Sequence, residues 1–102
     1  MEMKNQAVYY VAFFTTSFDT IEEAKAQFPD ALAAHIARSK EFHKAGTLLM
    51  AGAFLKNPGE PLSTMAVLTS REAAEDYAKG DPFVLNGMIA RWYIREWANI
   101  LM

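Results

Sequence analysis

Ala34-His35-Ile36-Ala37-Arg38-Ser39-Lys40-Glu41-Phe42-His43-Lys44-Ala45-Gly46-Thr47-Leu48-Leu49-Met50-Ala51-Gly52 reads as one helix that runs directly into one strand. The segment is helical from about Asp30 to Ala45. Leu32, Ile36, Ser39 and His43 recur at helical spacing on one stripe, with His35, Ser39 and Phe42 on its flank. Gly46 stands where a left-handed residue ends a helix. The expected stripe turns His35 toward a core and not toward water. A titratable ring in that position is either a packing residue or the centre of a site.

Upstream, Thr20-Ile21-Glu22-Glu23 has the form of a capping box. It predicts a short helix that Pro29 ends near Phe28. Before it, Ala7 to Thr15 is a β-type run without alternation: Val8, Tyr10, Ala12 and Phe14 face one way, Ala7, Tyr9, Val11 and Phe13 the other. Two apolar faces mark a central strand.

Downstream, Thr47 to Leu55 and Leu62 to Thr69 read as strands. Lys56-Asn57-Pro58-Gly59-Glu60-Pro61 joins them, and a link this short and rich in turn formers predicts a hairpin. Ser70 caps a helix over Arg71 to Lys79, and Gly80 stops it. Asp81-Pro82 opens a further short turn, aspartate as cap and proline as first residue. Met88 to Trp97 is the last strand. The apolar tail Ala98 to Met102 is expected to pack on the body or on a partner.

The order β-α-β-β-α-β predicts an α+β, ferredoxin-like fold: an antiparallel sheet with helices on one face. Two helices cover one face only, yet the first three strands are apolar on both. A second copy of the sheet is the expected cover, which makes a homodimer, a dimeric α+β barrel. A standard interface buries about 800 Å² per partner.

The chain has 102 residues, 52% hydrophobic and 13% aromatic, with net charge −2. That length suits a single domain over 1–102. No basic face points to nucleic acid. The absence of cysteine excludes disulfides, thiolate zinc sites and a cysteine nucleophile. No apolar run reaches the roughly 18 residues that span a bilayer, and Met1 to Gln6 is polar. A soluble cytoplasmic protein, without membrane association, is the expectation.

His35 is the candidate general acid/base, and Asp81 the best carboxylate to orient it. One oxygen of Asp81 is expected to cap the turn while the other meets the imidazole. His43 lies two turns beyond His35 without the i, i+4 spacing of a helical zinc site, so no metal is expected. Ser39, one turn from both histidines, is a candidate hydrogen-bond donor to a ligand. Tyr9, Trp92, Tyr93 and Trp97 are aromatic walls for a planar ligand or for the dimer core.

Ala34-His35-Ile36-Ala37, Glu41-Phe42-His43 and Ala45 to Gly52, with Ser70 to Ala78 leading into Asp81-Pro82-Phe83 and the closing Trp92-Tyr93-Ile94-Arg95-Glu96-Trp97, resemble the YciI-like (YCII-related) family. The resemblance implies the dimeric barrel and a histidine–aspartate pair at His35 and Asp81. It also implies a small-molecule enzyme; family members include a dehydrochlorinase acting on a hydroxylated aromatic ring. The chain departs from the family at Leu32, where an arginine is frequent, at Ala53, where a proline is frequent, and at Ser39, commonly a large apolar residue.

The expected function is a cofactor-independent enzyme that eliminates or isomerises a small molecule. His35 and Asp81 would be catalytic; Ser39 and His43 would line the substrate site. Two readings of other classes stand beside it: a non-catalytic dimeric metabolite-binding protein, and a cofactor-free or haem-linked oxygenase.

Overall fold

A computed structural model describes residues 7–55 and 59–101. The polar start Met1 to Gln6, Lys56, Asn57 and Pro58 of the strand link, and Met102 lie outside the described residues. The elements are β1 (Ala7–Thr16), α1 (Ile21–Gln27), α2 (Pro29–Lys44), β2 (Leu48–Ala53), β3 (Ser63–Leu68), α3 (Arg71–Lys79), α4 (Pro82–Leu85) and β4 (Ile89–Asn99). The strands form one sheet in the order β2-β3-β1-β4, every neighbour antiparallel. This is the expected α+β, ferredoxin-like arrangement, with β1 central.

Local chemistry sets the helix ends. Thr20 accepts a hydrogen bond from Glu23 N at 3.2 Å, while the Glu23 carboxylate reaches back to Asp19 N at 2.8 Å. The reciprocal bond thus falls one residue before the cap. Pro29 opens α2 as its first residue, one position earlier than expected, because its missing N–H has no partner to lose there. Ser70 accepts from Ala73 N at 3.0 Å and starts α3. Gly46 takes φ +85°, the left-handed value that lets the chain leave α2 and enter β2 at once.

Even-numbered positions of β1 carry the core. Ala12 and Phe14 pack with Leu48, Ala66 and Leu68 of the sheet and with Ala74, Tyr77 and Ala78 of α3. The alternate face bears Tyr9, Val11 and Phe13. Across the β1–β4 register Tyr9 meets Trp97 and Phe13 meets Tyr93, with ring centroids 6.2 Å and 5.1 Å apart.

Two expectations are corrected. The stripe of α2 meets the core only in part: Leu32 and the flanking Phe42 lie against the two core clusters, but no residue of that helix is buried and Ile36 is 45% exposed. β2 is an edge strand with five of its six residues exposed, so apolar composition there does not mean burial. The tail packs on the body over part of its length. Ala98 and Asn99 continue β4 by pairing with Val8 and Ala7, and Ile100 and Leu101 stay exposed. No helix among the described residues is long and apolar enough to cross a membrane.

Candidate functional site

Because α2 stands off from β2, a cleft of about 710 Å³ opens between that helix and the sheet. Leu32, His35, Ile36, Ser39 and His43 of α2 line one side, and Leu48 to Ala53 line the other, with Tyr77 and Phe83 included in the lining. The residues that were expected to sit in a core therefore border an opening.

α4 supplies the partner of His35. Asp81, 2% exposed, is the cap of α4. Its Oδ1 accepts from Phe83 N at 3.1 Å and lies 2.8 Å from His35 Nδ1. The expected division of labour between two oxygens is corrected: one oxygen serves both bonds. A carboxylate only accepts, so Nδ1 carries the hydrogen, and in the neutral ring Nε2 holds the free lone pair. No group among the described residues bonds Nε2. The imidazole also lies flat on Phe83, centroids 4.4 Å apart and planes 9° apart. The cap and the stack together fix the ring, whose side chain is 22% exposed.

His43 Nδ1 donates to the Leu48 carbonyl at 2.8 Å, tying the end of α2 to the start of β2. Ser39 Oγ lies 2.7 Å from Tyr77 Oη. Structure thus gathers His35, Asp81, Ser39 and His43 around one cleft or its wall. Tyr9, Trp92, Tyr93 and Trp97 are not in that lining: strand alternation puts Tyr9, Tyr93 and Trp97 on the opposite face of the sheet, and Trp92 packs on the core cluster. Among the described residues no cluster of three or more histidine, aspartate or glutamate side chains could hold a metal.

Tyr77 was not singled out by its sequence context. It sits at helical spacing with Ala74 and Ala78, which reads as a core stripe; only its hydroxyl distinguished it. Burial pushes its phenol above the ordinary 10.0, and the charge of Asp81 adds to this. The Ser39 hydrogen bond and Arg38 oppose. The folded state therefore holds this proton more firmly than the unfolded chain. Its stabilising contribution is complete below pH 10 and declines as pH rises through the raised folded value. Urea unfolding at pH 9 and pH 11 is expected to show a smaller alkaline loss of stability in Tyr77→Phe than in the wild type. Equal losses would refute this.

Arg38 holds the two helices in register. Its Nη1 and Nη2 donate to the carbonyls of Tyr77 and Asp76, each at 2.8 Å, and its guanidinium lies 4.6 Å over the Phe42 ring. These carbonyls close the end of α3, where positive charge is favourable. A Cβ at Gly80 would come 2.5 Å from Nη2 and 3.3 Å from the Asp76 carbonyl. Gly80→Ala is expected to displace one of these bonds and cost about 1 kcal/mol, a melting shift of about 4–8 °C. An unchanged melting temperature would show that Arg38 re-seats freely.

A family model described as the YCII-related domain matches residues 9–98. No curated protein matches the chain in sequence. Among solved structures, the chain is similar to 5-chloro-2-hydroxyhydroquinone dehydrochlorinase (TftG) from Burkholderia phenoliruptrix in complex with 2,5-dihydroxybenzoquinone, with a TM-score of 0.64 at 14% identity over 87% of this chain and 92% of that one. It is similar to a dimeric ferredoxin-like protein from an uncultured marine organism, with a TM-score of 0.53 at 11% identity over 99% and 94% of the two chains. It is also similar to SnoaB, a cofactor-independent oxygenase from Streptomyces nogalater, with a TM-score of 0.50 at 15% identity over 93% and 94%. Likeness at such identities shows a shared fold.

Proposed function

The chain belongs to the YCII-related domain family, and from that premise we propose that it is a cofactor-independent acid–base enzyme acting on a small, hydroxylated cyclic molecule by elimination or isomerisation. The observation that carries the proposal is the 2.8 Å contact between His35 Nδ1 and Asp81 at the wall of a cleft of about 710 Å³. With Nδ1 committed to the carboxylate, Nε2 is the base. It takes a proton from the substrate, and Asp81 stabilises the imidazolium that forms. His35 then returns the proton to the product or to solvent.

Leu32, Ile36, Leu48 and Phe83 offer an apolar bed for a ring. Ser39 and His43 supply polar contacts, and Lys40 and Lys44, also in the lining, favour an acidic phenol. In a dehydrochlorination, base removes a proton and chloride leaves with its electron pair, so the step is redox-neutral. The similar dehydrochlorinase structure makes that the first reaction to test.

The test offers 5-chloro-2-hydroxyhydroquinone to wild type and His35→Gln and follows chloride release. Binding of 2,5-dihydroxybenzoquinone is followed by thermal shift. Wild type is expected to release chloride, and the variant to bind without doing so. Equal stabilisation of both proteins by the quinone, with no chloride release from either above the uncatalysed rate, would replace this reading with a metabolite-binding role.

The working unit on this reading is a homodimer joined through the sheet face that bears Tyr9, Val11 and Phe13. The helices stand on the other face, and a dimeric ferredoxin-like protein shares the fold.

A further inference from the structure

We propose that the Ser39–Tyr77 hydroxyl pair is a binding point for a carbonyl oxygen of the substrate, next to the carbon that His35 deprotonates; this rests on the acid–base reading of the same cleft. Its substrate class is a ring compound with a ketone oxygen next to a saturated carbon that bears the hydrogen to be removed.

The count of hydrogens carries the argument. Ser39 Oγ and Tyr77 Oη lie 2.7 Å apart, and both residues line the cleft. Two hydroxyls hold two hydrogens, and their mutual bond uses one. Whichever oxygen donates, one O–H remains, and neither hydroxyl makes a second hydrogen bond among the described residues. Ser39 does not bond back to the His35 carbonyl, the usual resting place for a helical serine. If Ser39 donates, the spare O–H belongs to Tyr77, 2% exposed, where an unanswered donor costs about 1–3 kcal/mol; if Tyr77 donates, it belongs to Ser39, half-buried in the cleft lining. A ligand oxygen answers it.

Position decides which ligand oxygen. Ser39 follows His35 by four residues, so both side chains project from one face of α2, one turn apart. A ring whose carbonyl meets the pair presents its adjacent C–H to Nε2. When that C–H bond breaks, the proton goes to Nε2 and the electron pair moves onto the carbonyl oxygen. The enolate oxygen accepts a shorter, stronger bond than the ketone did, so the pair favours the transition state over the bound ketone. Burial keeps the Tyr77 phenol protonated at neutral pH, and the donor therefore persists where the enzyme works.

The experiment uses two probes of one shape: 1-tetralone, which has the ketone, and tetralin, which lacks it. Affinities for both, and exchange of the tetralone α-hydrogens in D₂O by NMR, are measured on wild type, Ser39→Ala/Tyr77→Phe and His35→Gln. The double variant removes both partners together and leaves no orphaned group. Its affinity for tetralone relative to tetralin is expected to fall about three- to tenfold, and its exchange rate about 100-fold. Should it fail to fold, Tyr77→Phe alone, which retains the ring, is expected to lower both in the same direction. His35→Gln is expected to keep the affinity ratio and lose the exchange.

A double variant with an unchanged ratio overturns the carbonyl site, whatever His35→Gln does. So does a wild type that does not bind tetralone. A ratio that falls in the double variant while His35→Gln exchanges as fast as wild type upholds the carbonyl site and removes the base assigned to His35.

Discussion

His35→Gln is expected to cut the rate of the proton-transfer reaction about 100- to 10,000-fold and to leave ligand affinity within about threefold. Glutamine keeps the volume and a donor that reaches Asp81, but it has no basic lone pair. The Asp81 variants separate charge from scaffold. In Asp81→Asn the Phe83 N–H, 3.1 Å from Oδ1, selects the amide oxygen for that position, because an NH₂ there would oppose a donor. The same oxygen still accepts His35 Nδ1–H, so the tautomer is retained and only the charge is lost. A charged hydrogen bond exceeds a neutral one by about 1–2 kcal/mol, so the rate should fall about 5- to 30-fold. In Asp81→Ala the cap disappears and two N–H groups lose their acceptor, one of them in a fully buried place. Loss of the Phe83 N–H cap costs about 1 kcal/mol and His35 Nδ1–H left without its acceptor about 1–3 kcal/mol, together about 3 kcal/mol, or a melting point lower by about 12–24 °C. Single-turnover rates and thermal melts read both. An Asp81→Asn variant as slow as His35→Gln would mean that the carboxylate does more than hold and neutralise the ring.

What could be read from the amino-acid order divides along the range of each interaction. Thr20, Ser70 and Asp81 each announced a helix start because a cap is a bond between near neighbours. β1 announced itself as central because apolar residues on both faces leave no solvent side. β2 misled for the same reason. Leu48 to Ala53 is apolar, yet Met50 is 62% exposed, because it pairs with Val67 on the sheet face that no described helix covers, and composition does not encode which face stays open. The His35–Asp81 contact spans 46 residues of chain. Its capping aspartate was locally legible; its convergence with the histidine rested on the need of an imidazole for an orienting carboxylate and on the family resemblance. The Ser39–Tyr77 bond was not legible at all. It requires the register of α2 against α3, and the side chain that sets that register, Arg38, bonds to carbonyls that every residue type presents alike.

Tyr93→Lys is expected to convert a dimer into a monomer. The alternate face of the sheet is built as an apolar platform: Val11 and Val67 are 5% and 2% exposed, although no helix among the described residues lies over that side. The rings of Tyr9, Phe13, Tyr93 and Trp97 shield the strand centre, with Tyr93 40% and Trp97 48% exposed. A standard interface removes about 1,600 Å² in total. With somewhat over half of it apolar, the drive is about 20 kcal/mol, more than the roughly 4–15 kcal/mol cost of association. Arg91 and Arg95 share this face through the β1–β4 register, and Arg91 lies 5.0 Å over the Tyr93 ring. A lysine at 93 adds a cation between them, no carboxylate among the described residues of these strands shares the face, and two-fold symmetry enters the change twice. Burying unpaired ammonium groups costs several kcal/mol, so the dissociation constant should rise about 1,000-fold or more. The fold should survive, since position 93 is partly exposed and a lysine stem can cover Phe13. Light scattering should give twice the 11.4 kDa chain mass for wild type and 11.4 kDa for the variant, with matching circular dichroism. A wild type that stays at the single-chain mass at high micromolar concentration would mean that the rings shield this face unaided.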